Sequence, residues 1–256
     1  MRRVLAAFAA LSMSAPALAV TGNAPPASGW AARAIVMVLD PRGDLCTGTA
    51  LAPDLVLTAA HCVARKERYE VKAYQTGAAI AVRSIALNPR FDFAGYAASR
   101  ATADVALLKL AAPLPDVIVP AALAAPRRVK VGETLTIAGF GTIADHSAAG
   151  LGVPRMARLT VTGKPGGLQI RLSDATTRNL RLGLGACTGD SGAPAYDGEG
   201  PQKNGQVIGQ VIGIVSWTTA PQDEEGCGGL TGLTPLLLYR SWIVETAKKF
   251  KSPVGR

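Results

Sequence analysis

The sequence predicts an all-β protein, a sandwich or barrel arrangement in two β units with one C-terminal α-helix, and three observations support this. Short β-like runs separated by Gly, Pro, Asn and Asp recur along the chain: Ala34 to Leu39, Leu55 to Thr58, Ala79 to Leu87, Val105 to Leu110, Thr134 to Phe140, Ala157 to Thr162 and Gln206 to Trp217. A Pro- and Ala-rich stretch from Ala111 to Pro126 divides them near the middle, as a segment crossing between two units would. From Leu236 to Lys251 the period changes: Leu236, Tyr239, Ile243, Ala247 and Phe250 fall close to helical spacing, and Lys248, Lys249 and Lys251 stand where cations suit a helix C-terminus. The 28 glycines fit a chain of strands and tight turns, and 48% hydrophobic against 18% charged residues excludes an intrinsically disordered chain.

In chain order, residues 1–19 read as a signal peptide rather than as part of the fold. Arg2 and Arg3 are followed by an apolar stretch, Val4 to Leu11, too short to span a bilayer. Ala17-Leu18-Ala19 then places small residues at the two positions a signal peptidase reads. A buried N-terminal helix is the alternative. No later stretch approaches 18 uninterrupted apolar residues, so a mature protein without membrane attachment is expected, exported to the periplasm or the medium. In an oxidising compartment Cys46, Cys62, Cys187 and Cys227 read as two disulfides, with three pairings open. Joining neighbours closes the shortest loops. A zinc site competes weakly, because no two cysteines stand two to four residues apart.

Without Arg2 and Arg3, 25 basic and 18 acidic residues leave a net charge of +7. The cations form small clusters, Arg65 to Arg68, Arg127 to Lys130 and Lys248 to Lys251, without the interleaved aromatics of a nucleic-acid surface. A solvated basic face is expected, and no nucleic-acid partner.

Three segments carry chemistry. A serine hydroxyl is a poor nucleophile at neutral pH, so a hydrolase that uses one needs a base, a group to orient the base and donors for the oxyanion. Gly189-Asp190-Ser191-Gly192 offers a serine in a glycine-flanked turn, where the N–H groups of Gly189 and Ser191 can converge as an oxyanion hole. His61 follows the run Leu55 to Thr58 and precedes Cys62, a bridge from which to Cys46 would fix the backbone beside a general base. Asp104 opens the apolar run Val105 to Leu110, where a carboxylate can be shielded from water yet reach an imidazole. The other histidine, His146, lies between Asp145 and Ser147 in a polar loop and reads as surface.

Thr58-Ala59-Ala60-His61-Cys62, Asp104-Val105-Ala106-Leu107-Leu108 and Gly189-Asp190-Ser191-Gly192-Ala193-Pro194 together resemble the three signature segments of the chymotrypsin/trypsin family of serine endopeptidases, in that family's order. The likeness covers essentially all of residues 20–256. It implies two six-stranded antiparallel barrels, about 20–118 and 119–235, with a helix at about 236–251 and the site in the cleft between barrels. It implies a catalytic triad of Ser191 as nucleophile, His61 as general base and Asp104 as its orienter. It also implies the pairings Cys46–Cys62 and Cys187–Cys227, peptide or protein substrates, a monomer, and neither metal nor cofactor. No calcium loop is evident after Glu70.

In the same likeness Val20, 41 positions before His61, would be the first residue after signal cleavage, and its freed ammonium would pair with Asp190. Gly185 would form the base of the primary substrate pocket, with Ala186, Thr188, Ser216, Trp217 and Thr218 around it and Gly232 on the back wall. A base without charge points to small or medium apolar side chains at the residue whose carbonyl is attacked. The acidic loop Asp223-Glu224-Glu225 leaves a Lys or Arg preference as the alternative, and a catalytically inactive binding protein on the same scaffold is the alternative to an enzyme.

Overall fold

The computed structural model describes residues 20–203 and 205–254, so the expected signal segment 1–19 lies outside it. A short helix α1 (Gly29–Arg33) leads into β1 (Ile35–Leu39), β2 (Leu45–Ala52), β3 (Leu55–Thr58), β4 (Glu70–Lys72), β5 (Ala79–Leu87), the helix α2 (Phe93–Ala97) and β6 (Ala106–Leu110). The six strands close into an antiparallel barrel in the order β1-β2-β3-β6-β5-β4. The connecting stretch carries β7 (Ala122–Leu123). Beyond it β8 (Thr134–Gly139), β9 (Arg155–Gly163), β10 (Ile170–Ser173), β11 (Pro194–Lys203), β12 (Gln206–Thr218) and β13 (Thr231–Pro235) form a second six-stranded barrel, closed where β11 meets β12, with β7 lying parallel to β12.

Why the first-barrel strands are apolar runs rather than alternations follows from the cores. Val36, Val38, Val56, Ala106 and Leu108 fill the first barrel, whereas Ile35, Met37, Leu55, Leu57 and Leu107 point out of it and pack against Phe140, Tyr196 and Ile214 of the second. With both faces buried, no position on β1, β3 or β6 needs a regular polar partner. The second barrel holds its own core of Leu135, Ile137, Leu159, Val161, Leu172 and Leu233.

Two segments depart from the sequence boundaries. Residues 20–26, expected with the first barrel, lie on the second: Thr21 bridges Gly185, Pro26 bridges Arg155, and Val20 and Ala24 sit in the second core. The terminal helix is shorter than 236–251. A 3₁₀ turn covers Leu236–Leu238, and α3 (Arg240–Lys249) begins only after Tyr239. Ile243 and Ala247 of α3 enter the inter-barrel core. Just past it, the Ser252 hydroxyl lies 2.5 Å from Asp54 Oδ1 and receives the Lys109 ammonium at 2.6 Å, which ties the C-terminus to the first barrel.

Candidate active site

β3 and β6 pair with Thr58 opposite Ala106, so the residues after one strand and before the other emerge side by side. A 3₁₀ turn, Ala60–Val63, carries His61 out of β3, and Asp104 stands two residues before β6. The Asp104 carboxylate accepts the His61 backbone N–H at 2.9 Å on Oδ1, and the imidazole Nδ1 at 2.8 Å and the Ser216 hydroxyl at 2.5 Å on Oδ2. Its side chain is 1% exposed. An ionised carboxylate has only acceptors, so Nδ1 must carry the proton in this contact and Nε2 of the neutral ring is left as the basic nitrogen. Tyr96 of α2 stacks on the imidazole with centroids 4.3 Å apart and planes 10° from parallel, and its hydroxyl donates to Ser216 O at 3.3 Å. Burial pushes the Tyr96 phenol well above its ordinary value, so it stays a donor.

Cys62 is disulfide-bonded to Cys46, and this bond pins the His61 turn to β2. Although Cys46, His61 and Cys62 bring their possible ligand atoms within 4.8 Å, the two sulfurs are bonded to each other and neither is available as a thiolate.

Ser191 lies in the turn that leads into β11. Gly189 and Gly192 on either side have φ of 95° and 81°, backbone that glycine adopts readily. A side chain at Gly192 would also collide with Thr47 O, 2.2 Å from where its Cβ would stand. Thr47 of β2 stitches this turn to the first barrel. Its N–H donates to Ser191 O at 2.9 Å, its hydroxyl donates to Gly189 O at 2.9 Å, and that hydroxyl accepts Phe140 N–H at 3.1 Å. The N–H groups of Gly189 and Ser191 meet no protein acceptor among the described residues. No hydrogen bond joins Ser191 Oγ to His61 Nε2, which lies 3.7 Å from the Cys62 sulfur instead.

Asp190 points the other way, into the second barrel. It is fully buried and accepts Gly141 N–H at 2.8 Å and Cys187 N–H at 2.9 Å. Gly139 and Gly141 are needed around it, since a Cβ on either would stand 2.2 Å and 2.5 Å from its carboxyl atoms. Burial pushes this carboxyl up to about 7, against the lowering by its two backbone donors, and no cation pairs with it among the described residues. Val20 is buried in the core of the same barrel.

The expected pocket residues separate into two groups. Gly185 and Ala186 lie beside the Cys187–Cys227 disulfide, whereas Ser216, Trp217 and Thr218 line a cleft with Asp223. The Thr218 hydroxyl lies 2.8 Å from Ala186 O and 3.1 Å from Leu230 O. Gly185 packs on Gly228, whose Cα lies 3.1 Å from where a Cβ of Gly185 would stand. Thr188 is exposed at the rim, its carbonyl accepting Thr142 N–H at 2.8 Å. Gly232 lies under the indole of Trp217, 2.0 Å from Cε2 to the place of its missing Cβ, and the hydroxyl of the preceding Thr231 accepts Ala186 N–H at 2.9 Å. The cleft with Asp223, of about 480 Å³, is also lined by Tyr96, Arg100 and Arg171. Asp223 is held there by Asn179 Nδ2 at 2.9 Å. His146 is exposed beside Asp145, as the sequence suggested.

Thr47, Tyr96, Gly141 and Thr231 carried no local signal. Each acts through a contact with a residue far away in the chain, and only the pairing of strands brings them to the site.

The Trypsin family matches residues 20–243. Hypodermin-B of Hypoderma lineatum is 26% identical over 222 residues, 80% of this chain and 78% of its own length. Snake venom serine protease BPA of Bothrops jararaca is 28% identical over 220 residues, 82% of this chain and 81% of its own. Among solved structures, human heparin binding protein superposes with a TM-score of 0.67 at 21% identity, covering 92% of this chain and all of that one. Neuropsin, a serine protease expressed in the limbic system of mouse brain, gives 0.67 at 21% identity over 88% of this chain and 98% of its own. These last two likenesses concern the fold; the family match over residues 20–243 is what places the chain in the Trypsin family, among the serine proteases.

Proposed function

We propose that this protein is an exported serine endopeptidase in which Ser191 attacks the peptide carbonyl, His61 is the general base and Asp104 holds His61. The observation that carries this is the double grip of one buried carboxylate on the backbone N–H and the Nδ1 of a single histidine, which fixes both the tautomer and the ring plane. Nε2 then takes the Ser191 proton as Oγ bonds to the carbonyl carbon, and the resulting oxyanion accepts from the idle N–H groups of Gly189 and Ser191. Collapse of that intermediate breaks the C–N bond, with Nε2 protonating the leaving amine, and water releases the acyl group by the same path in reverse. Asp104, already satisfied by His61 and Ser216, steadies the imidazolium without taking its proton.

The slot beside Ser191 favours small apolar residues on the acyl side. Thr218 and Thr231 both hydrogen-bond to Ala186, next to Gly185, and no charge stands at Gly185. Asp223 lines the cleft beside Trp217 together with Thr218, which keeps a Lys or Arg preference as the alternative.

Activation rests on Asp190. Burial without a cation pushes this carboxyl up to about 7, and its turn includes both oxyanion donors. Cleavage after Ala19 would free an ammonium on Val20, which is already buried in the same barrel, and pairing it with Asp190 would order Gly189 and Ser191.

A fluorophosphonate probe, which esterifies an activated serine with loss of fluoride, tests the assignment. Protein beginning at Val20 should be labelled and Ser191→Ala should not. Absence of labelling in the Val20 form would favour an inactive scaffold that binds partners in the same cleft.

A further inference from the structure

We infer that the cleft beside Trp217 reads an acidic side chain of the substrate, two to four residues on the N-terminal side of the cleaved bond, through Arg171. The inference rests on the protease reading above for its geometry and adds a substrate class to it.

Arg171, Gly232 and Trp217 form one cross-strand row: β10 pairs Arg171 with Gly232, and β12 pairs Trp217 with the same glycine. With no side chain at its centre, the row lets the indole lie flat across Gly232 and lets Arg171 reach over it, the guanidinium carbon 5.8 Å from the ring centroid. No carboxylate among the described residues pairs with this guanidinium, and its Nε is buried without a hydrogen-bond partner. A fork of N–H donors over an aromatic plane matches a carboxylate in two contacts at once. Arg100, on the opposite rim, is mostly exposed, with only a loose contact of 3.7 Å to Asp92.

Within the cleft the opposing charge is Asp223, and Asn179 already holds one of its oxygens. Arg100 already has Asp92, so Arg171 is the cation of the cleft that no carboxylate pairs with among the described residues. The cleft continues from Ser216, which touches Asp104, so a peptide laid along residues 216–218 with its reactive carbonyl at Ser191 brings its preceding residues over Trp217 at ~3.3 Å per residue.

Binding is measured with Ser191→Ala protein, so that the result stands apart from catalysis. Two peptides with the same small apolar residue before the bond differ only in carrying Glu or Gln at the second to fourth preceding positions. The Glu peptide should bind about tenfold tighter at low salt, and the advantage should shrink to within about twofold when Arg171→Gln is added. Equal affinities for the two peptides, an advantage that survives Arg171→Gln, or no measurable binding of either peptide would overturn the inference. Failure of the Val20 form to cleave either peptide would instead strike the protease reading and leave this binding result standing.

Discussion

Asp104 and Asp190 are both buried aspartates within the same site, yet their surroundings differ in kind. Asp104 has two donors from His61 and one from Ser216, two of them side chains that function needs in one orientation. Asp190 has two backbone donors and no positive partner, and burial holds its carboxyl up at about 7. One is a finished interaction, and the other is a buried group awaiting charge. The half of the site around His61 is held by strand pairing, the Cys46–Cys62 bond and the Tyr96 stack, while Asp190, beside Ser191, meets no cation among the described residues.

The largest expected effect breaks the finished half. Asp104→Asn would place an amide against Nδ1 and favour the wrong tautomer, and kcat should fall by about 10⁴-fold, the loss known for the template triad of this family. Steady-state hydrolysis of a peptide with a small apolar residue before the bond measures it, and a loss below about tenfold would remove Asp104 from its role.

Next comes Asp190→Asn. In protein beginning at Val20 the activity should drop by about 10²–10³-fold, the scale of a lost oxyanion donor, because the turn holding Gly189 and Ser191 loses its anchor. The uncut chain gives a separate signature. Its folded Asp190 at about 7 lies above the ~3.9 of an unfolded aspartate, so the folded state holds a proton that the unfolded state has lost. This contribution to stability is complete below about pH 4 and is lost as pH rises toward and through 7. Denaturant unfolding of the uncut chain should show that decline, and uncut Asp190→Asn should lack this component of it. The Val20 form should lack it as well, because an ammonium partner favours the ionised carboxylate.

Thr218→Gly sharpens the reading of the slot. Removing the hydroxyl that spans Ala186 and Leu230 should raise kcat/KM for Leu or Phe relative to Ala before the bond by about tenfold. An unchanged ratio in a peptide-library profile would place the selecting surface elsewhere. The smallest effect is expected from Tyr96→Phe, which keeps the ring stacked on His61 and removes only the bond to Ser216 O, so kcat should change by less than about threefold.

The same contrast marks what was legible in the sequence. His61, Asp104 and Ser191 each stand in a contiguous segment whose neighbours shape it, and strand runs such as Leu55–Thr58 and Ala79–Leu87 appear with the bounds read from the sequence. β2, β4, β10 and β13 were not visible, being short or rich in Gly, Thr and Ala, which pack well in a barrel yet show little pattern alone. Thr47 could not be found either, since its bond to Gly189 O spans 142 positions. Side chains alternate faces along a strand, so the phase of β13 decides whether Gly232 or Thr231 meets Ala186, and phase is set by pairing with β10 and β12. For the helix, the apolar spacing from Leu236 concealed the 3₁₀ turn before Tyr239.

The division of the site into a finished and a waiting half is tested most directly by the rate of fluorophosphonate labelling in two proteins, one beginning at Val20 and one retaining Ala19 before it. The expected result is rapid labelling of Ser191 in the first, at least a hundredfold slower labelling in the second, and none in Ser191→Ala. Equal rates in the two would contradict it, because Asp190 would then have no need of the ammonium on Val20.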